Sequence, residues 1–219
     1  PVQPVQRGSR RHGDAVCQTA HRADCPFPQE MRYELPGLVI DNCAMAGRSS
    51  KTFREEGRLD DIAAHIRPGD LLVVSFGHND ANRAKAERYV PADAFGESLR
   101  PFWDAARSHG AVCIFASPVA MREFDEAGVC HPSFAAYREA MRAFAAEVGA
   151  PFIDLGAATA AANTAFGAER CKARYMWVGA KQDNAHQQNA GACRTAQAFV
   201  QQLLQDTTPA LDVLRANFK

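Results

Sequence analysis

Short apolar runs, separated by helical patterns, recur along most of the chain. Four of them are bounded by Gly, Pro or Asp and are too short for helices, which predicts strands that are buried on both faces. Strands of this kind are typical of a parallel sheet. The four runs are residues 38–40, 71–76, 111–116 and 151–155.

Amphipathic patterns fill the intervals between these runs. They predict helices over residues 59–66, 92–108, 133–148 and about 190–204. The third helix has Pro132 before it and Gly149 after it, as helix ends often do. Its apolar residues recur at intervals of three and four and form one stripe: Phe134, Tyr137, Met141, Phe144 and Val148.

Strands that alternate with helices imply parallel pairing and right-handed crossovers. We therefore predict an α/β fold, a three-layer α/β/α sandwich with a central parallel sheet. With 219 residues and 47% hydrophobic content, the chain suits a single domain over residues 1–219. We expect an irregular N-terminal segment over residues 1–12, where the chain is polar, and a C-terminal tail over residues 206–219.

Composition excludes several classes of partner. Lys plus Arg and Asp plus Glu both number 25, so the formal charge is zero and no basic stripe predicts a nucleic-acid partner. No apolar run is long enough to span a bilayer, and the first residues lack the hydrophobic segment of a secretion signal. We expect a soluble protein that binds neither nucleic acid nor membrane.

Seven cysteines are many for a cytosolic protein, which favours a secreted or periplasmic location, although an odd number cannot all pair. A short disulfide bridge would fit the loop that holds Cys17 and Cys25. Cys43 and Cys113 lie beside or inside apolar runs, which predicts small buried side chains. No C-x-x-C pair predicts a structural zinc site. Two further cysteines fall in predicted loops, Cys130 and Cys171.

Polar turns follow two of the predicted strands at their carboxyl ends, the edge where ligands bind to an open parallel sheet. Residues 42–53 form a turn that contains Gly47, and its backbone N–H groups could face an anion. Residues 77–80, with the sequence Gly-His-Asn-Asp, place the amide of Asn79 at the same edge. Taken singly, both turns also fit ordinary loop chemistry.

Two further polar segments lie near the ends of the chain. Asp183 and His186 stand three residues apart on a predicted loop before the last helix. A carboxylate there could fix the imidazole tautomer, as in a hydrolytic triad, although such spacing also caps helices. Near the N-terminus, Gly13-Asp14-Ala15 would follow a first strand.

Taken in order, these four segments resemble the four signature blocks of the SGNH hydrolases, and most closely the branch that includes rhamnogalacturonan acetylesterases and related carbohydrate deacetylases. The resemblance extends from about Gly13 to Leu204. It implies a flavodoxin-like sheet and hydrolysis of acetyl esters on carbohydrate without a cofactor. Its most specific stretches are residues 42–60, 67–70, 75–80, 183–186 and 191–192.

The resemblance also implies a role for each site residue. His186 would be the general base and Asp183 would orient it. The oxyanion hole would consist of the backbone N–H groups of residue 15 and Gly47 and the side-chain amide of Asn79.

One position departs from the family pattern. Family members carry Gly-Asp-Ser in the first block, whereas this chain carries Ala15 at the nucleophile position. A methyl group cannot attack a carbonyl, so we expect the chain to bind its ester and hardly cleave it. An engineered Ser-to-Ala variant and a natural pseudoenzyme both fit. Cys17, Ser49 and Ser50 are poor substitutes, because the expected geometry points them away from the line of attack.

Two other functions compete with the esterase. A non-catalytic carbohydrate-binding protein could use the same cleft. Alternatively, two H-x-D pairs, His12 with Asp14 and His78 with Asp80, could converge on a metal ion.

The substrate is expected to be an acetylated oligo- or polysaccharide or another small ester. Its identity would depend on the loops over residues 81–91 and 118–132. Three aromatic residues near these loops could stack on a sugar or simply pack in the core: Phe124, Tyr175 and Trp177.

Overall fold

The structure is a computed structural model that describes residues 41–212 and Arg215. The predicted strand over residues 38–40, the segment Gly13-Asp14-Ala15 and the Cys17–Cys25 pair lie outside the described residues.

Three parallel strands form the central sheet of the described part, in the order β1-β2-β3. They are β1 (Leu71–Val74), β2 (Val112–Ala116) and β3 (Phe152–Ile153). Each strand lies inside a run that the sequence predicted as a strand. The predicted parallel pairing is therefore confirmed, although all three strands are shorter than their runs.

Seven α-helices surround the sheet in the described residues. After the last of these helices the chain forms a short 3₁₀ helix, Pro209–Leu211, and Leu211 is fully buried. The helices are α1 (Ser50–Glu55), α2 (Arg58–Ala63), α3 (Ala92–Ser108), α4 (Ala135–Val148), α5 (Leu155–Phe166), α6 (Ala168–Cys171) and α7 (Asn189–Gln205).

The central strand β2 shows why the molecule has three layers. Successive side chains of a strand point to opposite faces of the sheet. Cys113 and Phe115 pack with α3 and α4 in one hydrophobic cluster, whereas Ile114 and Ala116 pack with α7 in the other. Both faces of β2 are thus covered by helices, and the fold is the predicted α/β/α sandwich.

Among the element boundaries that differ from the sequence prediction, two have a clear local cause. Helix α4 begins at Ala135, because Phe134 adopts a left-handed conformation (φ 56°) and breaks the helical pattern. The third strand ends at Ile153, because the side chain of Asp154 accepts a hydrogen bond from the N–H of Ala157 and caps α5. Leu155 therefore opens a helix instead of closing a strand.

Asp154 also joins three helices from both faces of the sheet. Its carboxylate accepts hydrogen bonds from Arg138 and Arg142 of α4. Its backbone N–H and carbonyl both bond to the side-chain amide of Gln202 on α7. The carboxyl end of β3 is thereby tied to α4, α5 and α7.

An antiparallel hairpin, absent from the sequence prediction, precedes the last helix. Strand β4 (Tyr175–Val178) pairs with strand β5 (Lys181–Gln187), and Gly179 lies in the turn between them. The sequence KQDNAHQ of β5 has no apolar alternation, so periodicity gave no strand signal there. Strand β5 therefore depends on its pairing with β4 and not on its local sequence pattern.

The cysteines follow the prediction only in part. Cys113 is buried within β2, as predicted, whereas Cys43 is exposed and its neighbour Asn42 is buried. Cys130 and Cys171 are both buried, the second at the end of α6 and not in a loop. Between residues 41 and 212, no helix is long and apolar enough to cross a bilayer.

Candidate active site

Asp183 and His186 form a hydrogen-bonded pair. The His186 Nδ1 atom lies 2.8 Å from Asp183 Oδ2. The other carboxylate oxygen, Oδ1, accepts the backbone N–H groups of Ala185 and His186, both at 2.9 Å. These bonds fix the carboxylate to the backbone of its own segment. The imidazole therefore bonds to an acceptor whose position is already set.

The surroundings keep Asp183 ionised. Partial burial alone would raise its pKa, but the hydrogen bonds from His186 and Ala185 outweigh that effect and hold the pKa of Asp183 below its ordinary value. The Nζ atom of Lys181 lies 3.7 Å from the same carboxylate. The Asp183 side chain is 20% exposed and that of His186 is 51% exposed, so the acid is the more buried member of the pair.

The pair lies on strand β5, and not on the loop that the sequence predicted. Arg122 anchors this strand from the segment after β2. Its backbone N–H donates to the carbonyl of Asn184 at 2.7 Å, and its guanidinium bonds to the carbonyl of Ala168. The Trp177 indole N–H donates to the Asn184 side chain at 2.9 Å. Asn184, one of the two residues between the acid and the base, is therefore held from two directions.

Gly47 and Asn79 meet in a second cluster at the carboxyl end of β1. The Asn79 amide nitrogen donates to the carbonyl of Arg48 at 3.1 Å. Arg88 uses one nitrogen, Nη1, to donate both to the Asn79 amide oxygen at 2.8 Å and to the carbonyl of Gly47 at 2.9 Å. Gly47 is exposed and has φ 78°, a left-handed conformation that favours glycine.

The buried carboxylate of Asp80 holds the turn that carries Asn79. One oxygen accepts the N–H and the hydroxyl of Ser50 at 2.9 and 2.6 Å, and the other accepts the N–H of Gly77 at 2.9 Å. Burial raises the pKa of Asp80, and these hydrogen bonds offset the rise only in part. Asp80 thus joins the first turn of α1 to the end of β1.

His78 lies between the two clusters. Its Nε2 lies 3.0 Å from the carbonyl of Val119, and its ring packs edge-on against Phe134 with centroids 4.7 Å apart. Burial, together with the charge of a protonated His186, lowers the pKa of His78 to about 4, although the bond to Val119 acts in the opposite direction. Because His78 directly precedes Asn79, this bond joins the turn after β1 to the segment after β2.

The predicted site residues thus form two groups at one rim of the sheet. Asp183 with His186 forms one, and Gly47 with Asn79 forms the other. The segment after β2 links them, because Val119 contacts His78 and Arg122 contacts Asn184. Ala15 lies outside the described residues.

Neither serine after Gly47 is available as a nucleophile. Ser49 is fully buried and caps α1, where its hydroxyl accepts the N–H of Thr52. The Ser50 hydroxyl is also fully buried and donates to Asp80. Cys17, the third residue weighed for this role, lies outside the described residues.

The structure describes two of the four residues in the metal hypothesis, His78 and Asp80, and their contacts do not support it. His78 and Asp80 bind separate protein groups, Val119 on one side and Ser50 with Gly77 on the other. Within residues 41–212, no group of three or more His, Cys, Asp or Glu residues could hold a metal ion. His12 and Asp14 lie outside that range.

The three aromatic candidates differ in exposure. Tyr175 is fully buried, and its hydroxyl donates to the carbonyl of Ala120 at 2.7 Å, so it is a packing residue. Trp177 and Phe124 are partly exposed, and the guanidinium of Arg122 lies near both rings, 4.8 and 5.9 Å from their centroids.

Sequence reasoning missed Arg88 and Arg122. Arg88 is one of four charged residues in the polar stretch over residues 81–91, and nothing in the sequence distinguishes it from the others. Its contact with Gly47 spans 41 positions, and the contact of Arg122 with Asn184 spans 62. Only the fold brings these residues together.

Comparison with known proteins agrees with the fold and identifies the family. A family model described as "GDSL-like Lipase/Acylhydrolase family" matches residues 9–191. The chain belongs to this family of carboxylic ester hydrolases, in the rhamnogalacturonan acetylesterase-like branch of the SGNH hydrolase superfamily.

Two relatives from Bacillus subtilis share much of the chain. Rhamnogalacturonan acetylesterase RhgT of Bacillus subtilis is 35% identical over 187 residues, which cover 81% of this chain and 79% of that protein. The probable rhamnogalacturonan acetylesterase YesY of the same organism is 39% identical over 156 residues, 71% of each chain.

Solved structures agree with the fold. The crystal structure of Bacillus subtilis protein YxiM superposes with a TM-score of 0.71 at 29% identity and covers 78% of this chain and 47% of that one. Acetylxylan esterase Axe2 from Geobacillus stearothermophilus superposes with a TM-score of 0.62 at 17% identity, over 80% of this chain and 78% of its own. The likeness to Axe2 shows the fold alone.

Proposed function

We propose that this chain is a carbohydrate acetylesterase of the Ser-His-Asp type whose nucleophile position is occupied by Ala15. The observation that carries the proposal is the hydrogen bond between His186 and Asp183, on an exposed imidazole at the rim that also holds Asn79. The family match supports it, because it begins at residue 9 and so includes position 15.

His186 acts as the general base in this mechanism. Its Nδ1–H donates to Asp183, so the lone pair of the ring lies on Nε2. That nitrogen would take the proton of a serine hydroxyl at position 15 and return it to the leaving sugar oxygen. The ionised carboxylate of Asp183 would stabilise the imidazolium that forms in between.

Asn79 and Gly47 supply the oxyanion hole. An amide nitrogen has two hydrogens, and the bond from Asn79 to Arg48 uses one of them. The second, together with the backbone N–H groups of Gly47 and residue 15, would donate to the tetrahedral oxygen. Each such donor is typically worth about 10²–10³ in rate.

Ala15 removes the attacking atom and leaves the remaining groups in place. Loss of the nucleophile in a serine hydrolase costs on the order of 10⁶ in turnover, and about 10³–10⁴ over water remains from the other groups. The chain as it stands would bind an acetylated glycan and hydrolyse it very slowly.

The proposed substrate is an acetyl ester on an oligo- or polysaccharide. Support comes from two relatives: RhgT is a rhamnogalacturonan acetylesterase and YesY is a probable rhamnogalacturonan acetylesterase. The ring of Trp177 is partly exposed and is fixed by Asn184, next to the acid and base. It is the aromatic residue best placed to contact a sugar.

Restoring the nucleophile tests the proposal. Ala15→Ser should raise the hydrolysis of p-nitrophenyl acetate and of acetylated pectin fragments by several orders of magnitude, towards the roughly 10⁶ that the nucleophile is worth. The matched control is Ala15→Ser combined with His186→Ala, which should remove the gain. No gain from serine in a folded protein would contradict the esterase mechanism.

A natural pseudoenzyme is the second candidate, and Ala15 itself is the observation that favours it. The same cleft would then bind acetylated oligosaccharide without cleaving it. Calorimetric titration of the unaltered chain with acetylated and deacetylated pectin oligosaccharides distinguishes the two. Tight binding together with no activity in Ala15→Ser would favour the pseudoenzyme.

A further inference from the structure

Arg88 connects the two oxyanion donors that the mechanism uses. Its Nη1 atom donates to the carbonyl of Gly47 and to the amide oxygen of Asn79, at 2.9 and 2.8 Å. The Asn79 amide nitrogen in turn donates to the carbonyl of Arg48, the residue after Gly47. Three hydrogen bonds therefore join the two donors in a closed circuit.

The circuit decides which end of the Asn79 amide faces which neighbour. A half-turn of the amide would set its NH₂ group against the guanidinium of Arg88, two donors facing each other. It would also set the amide oxygen against the Arg48 carbonyl, two acceptors facing each other. With Arg88 present, only one orientation satisfies both partners. Without Arg88, the amide oxygen loses the charge-assisted bond that selects it.

Arg88 itself is held firmly. Its side chain is only 21% exposed, and its backbone N–H donates to the carbonyl of Lys85. Two residues further on, Val90 donates to the carbonyl of Asp80 and accepts the hydroxyl of Tyr137 at 2.7 Å. The segment that carries Arg88 is thereby fastened to the turn that carries Asn79.

We propose that Arg88 is a positioning residue that fixes the Asn79 amide and the Gly47 turn in the orientation needed to stabilise the oxyanion. This inference rests on the proposed function. Arg88 bonds to the amide oxygen of Asn79 and to the carbonyl of Gly47, so it does not occupy the N–H groups of either donor. An oxyanion hole lowers the barrier only when its donors are fixed before the reaction begins.

The first test uses the Ala15→Ser background. Arg88→Met keeps a long apolar stem and removes the donors. We expect kcat to fall by about tenfold or more, up to the 10²–10³ that loss of a donor itself costs. KM should change little, because the ground-state ester does not need the amide orientation. The matched control is Arg107→Met, an exposed arginine at the end of α3, at the opposite edge of the sheet.

A double-mutant cycle separates positioning from general stability. If Arg88 acts through Asn79, then Arg88→Met should cost far less in kcat when Asn79 is already alanine. An equal loss of kcat in both backgrounds, or an equal loss from Arg107→Met, would overturn the proposal.

The second test does not depend on catalysis. In the unaltered chain, Asn79→Ala identifies the Asn79 side-chain ¹⁵N–¹H₂ resonances by their disappearance. Arg88→Met should shift them towards those of a solvent-exposed asparagine, and unchanged resonances would overturn the proposed role. If the resonances move while Ala15→Ser remains inactive, Arg88 positions the amide and the esterase mechanism fails.

Discussion

The Nδ1 atom of His186 lies 2.8 Å from Oδ2 of Asp183, while Oδ1 of the same carboxylate accepts the backbone N–H groups of Ala185 and His186. The two oxygens therefore have separate tasks. One fixes the carboxylate to strand β5, and the other sets the tautomer of the imidazole.

This division of tasks predicts the effect of Asp183→Asn. The amide oxygen can keep the two backbone bonds, which leaves the NH₂ group facing Nδ1 of His186. The ring must then accept at Nδ1 and carry its proton on Nε2, the wrong tautomer for a base. In the Ala15→Ser background we expect kcat to fall on the order of 10⁴-fold with little change in KM.

Thermal unfolding provides the control for this variant. Because the backbone bonds to Oδ1 are retained, Tm should remain close to that of the parent. Full activity in Asp183→Asn would show that the carboxylate does not orient the base.

Regular periodicity made much of the fold predictable. Helix α3 has the predicted bounds, and β2 lies inside its predicted run, because large apolar residues mark their buried faces. Helix α5, with the sequence LGAATAAANTAF, was missed because small alanines form no apolar stripe. The β4–β5 hairpin was missed because β5 is polar and owes its order to pairing.

Sequence motifs predicted only part of the candidate site. Asp183 and His186 are three positions apart, so one local motif revealed both. Gly47 and Asn79 were found because each follows a strand and matches a family block. Arg88 bonds to both of them but belongs to no motif, since its partners lie 41 and 9 positions away.

A second prediction concerns acid stability and Asp154. Partial burial would raise its pKa, but bonds from Arg138, Ala157 and Arg142 lower the pKa of Asp154 from 3.8 to about 2. The folded state thus favours the ionised form. The ionised carboxylate of Asp154 therefore stabilises the folded state by about 2 kcal/mol. This contribution is fully present well above pH 3.8 and is lost as the pH falls towards 2.

Urea unfolding of Asp154→Asn at pH 7 and pH 3 measures this contribution. The variant should be less stable at pH 7, and its free energy of unfolding should fall less between the two pH values than that of the parent. Asp104→Asn, at an exposed position on α3, is the matched control and should leave the pH dependence unchanged. If the free energy of unfolding falls equally between pH 7 and pH 3 for Asp154→Asn and for the parent, the prediction is contradicted.

The last prediction concerns Gly191, in the first turn of α7. A Cβ atom at this position would lie 2.2 Å from the carbonyl oxygen of Arg174, a backbone atom that cannot move aside as a side chain would. The same carbonyl accepts the N–H of Gln188. Gly191→Ala should therefore push α7 away from Arg174 and destabilise the fold by about 1–3 kcal/mol or more.

Strand β5 runs directly into α7, so this displacement should also reach His186. In the Ala15→Ser background, Gly191→Ala should lower kcat at temperatures where the protein remains folded. Ala190→Ser, at an exposed position in the same turn, should affect neither stability nor kcat. If Gly191→Ala unfolds at the same urea concentration as its parent, α7 does not need glycine for its close approach to Arg174, and the position of the base does not depend on that contact.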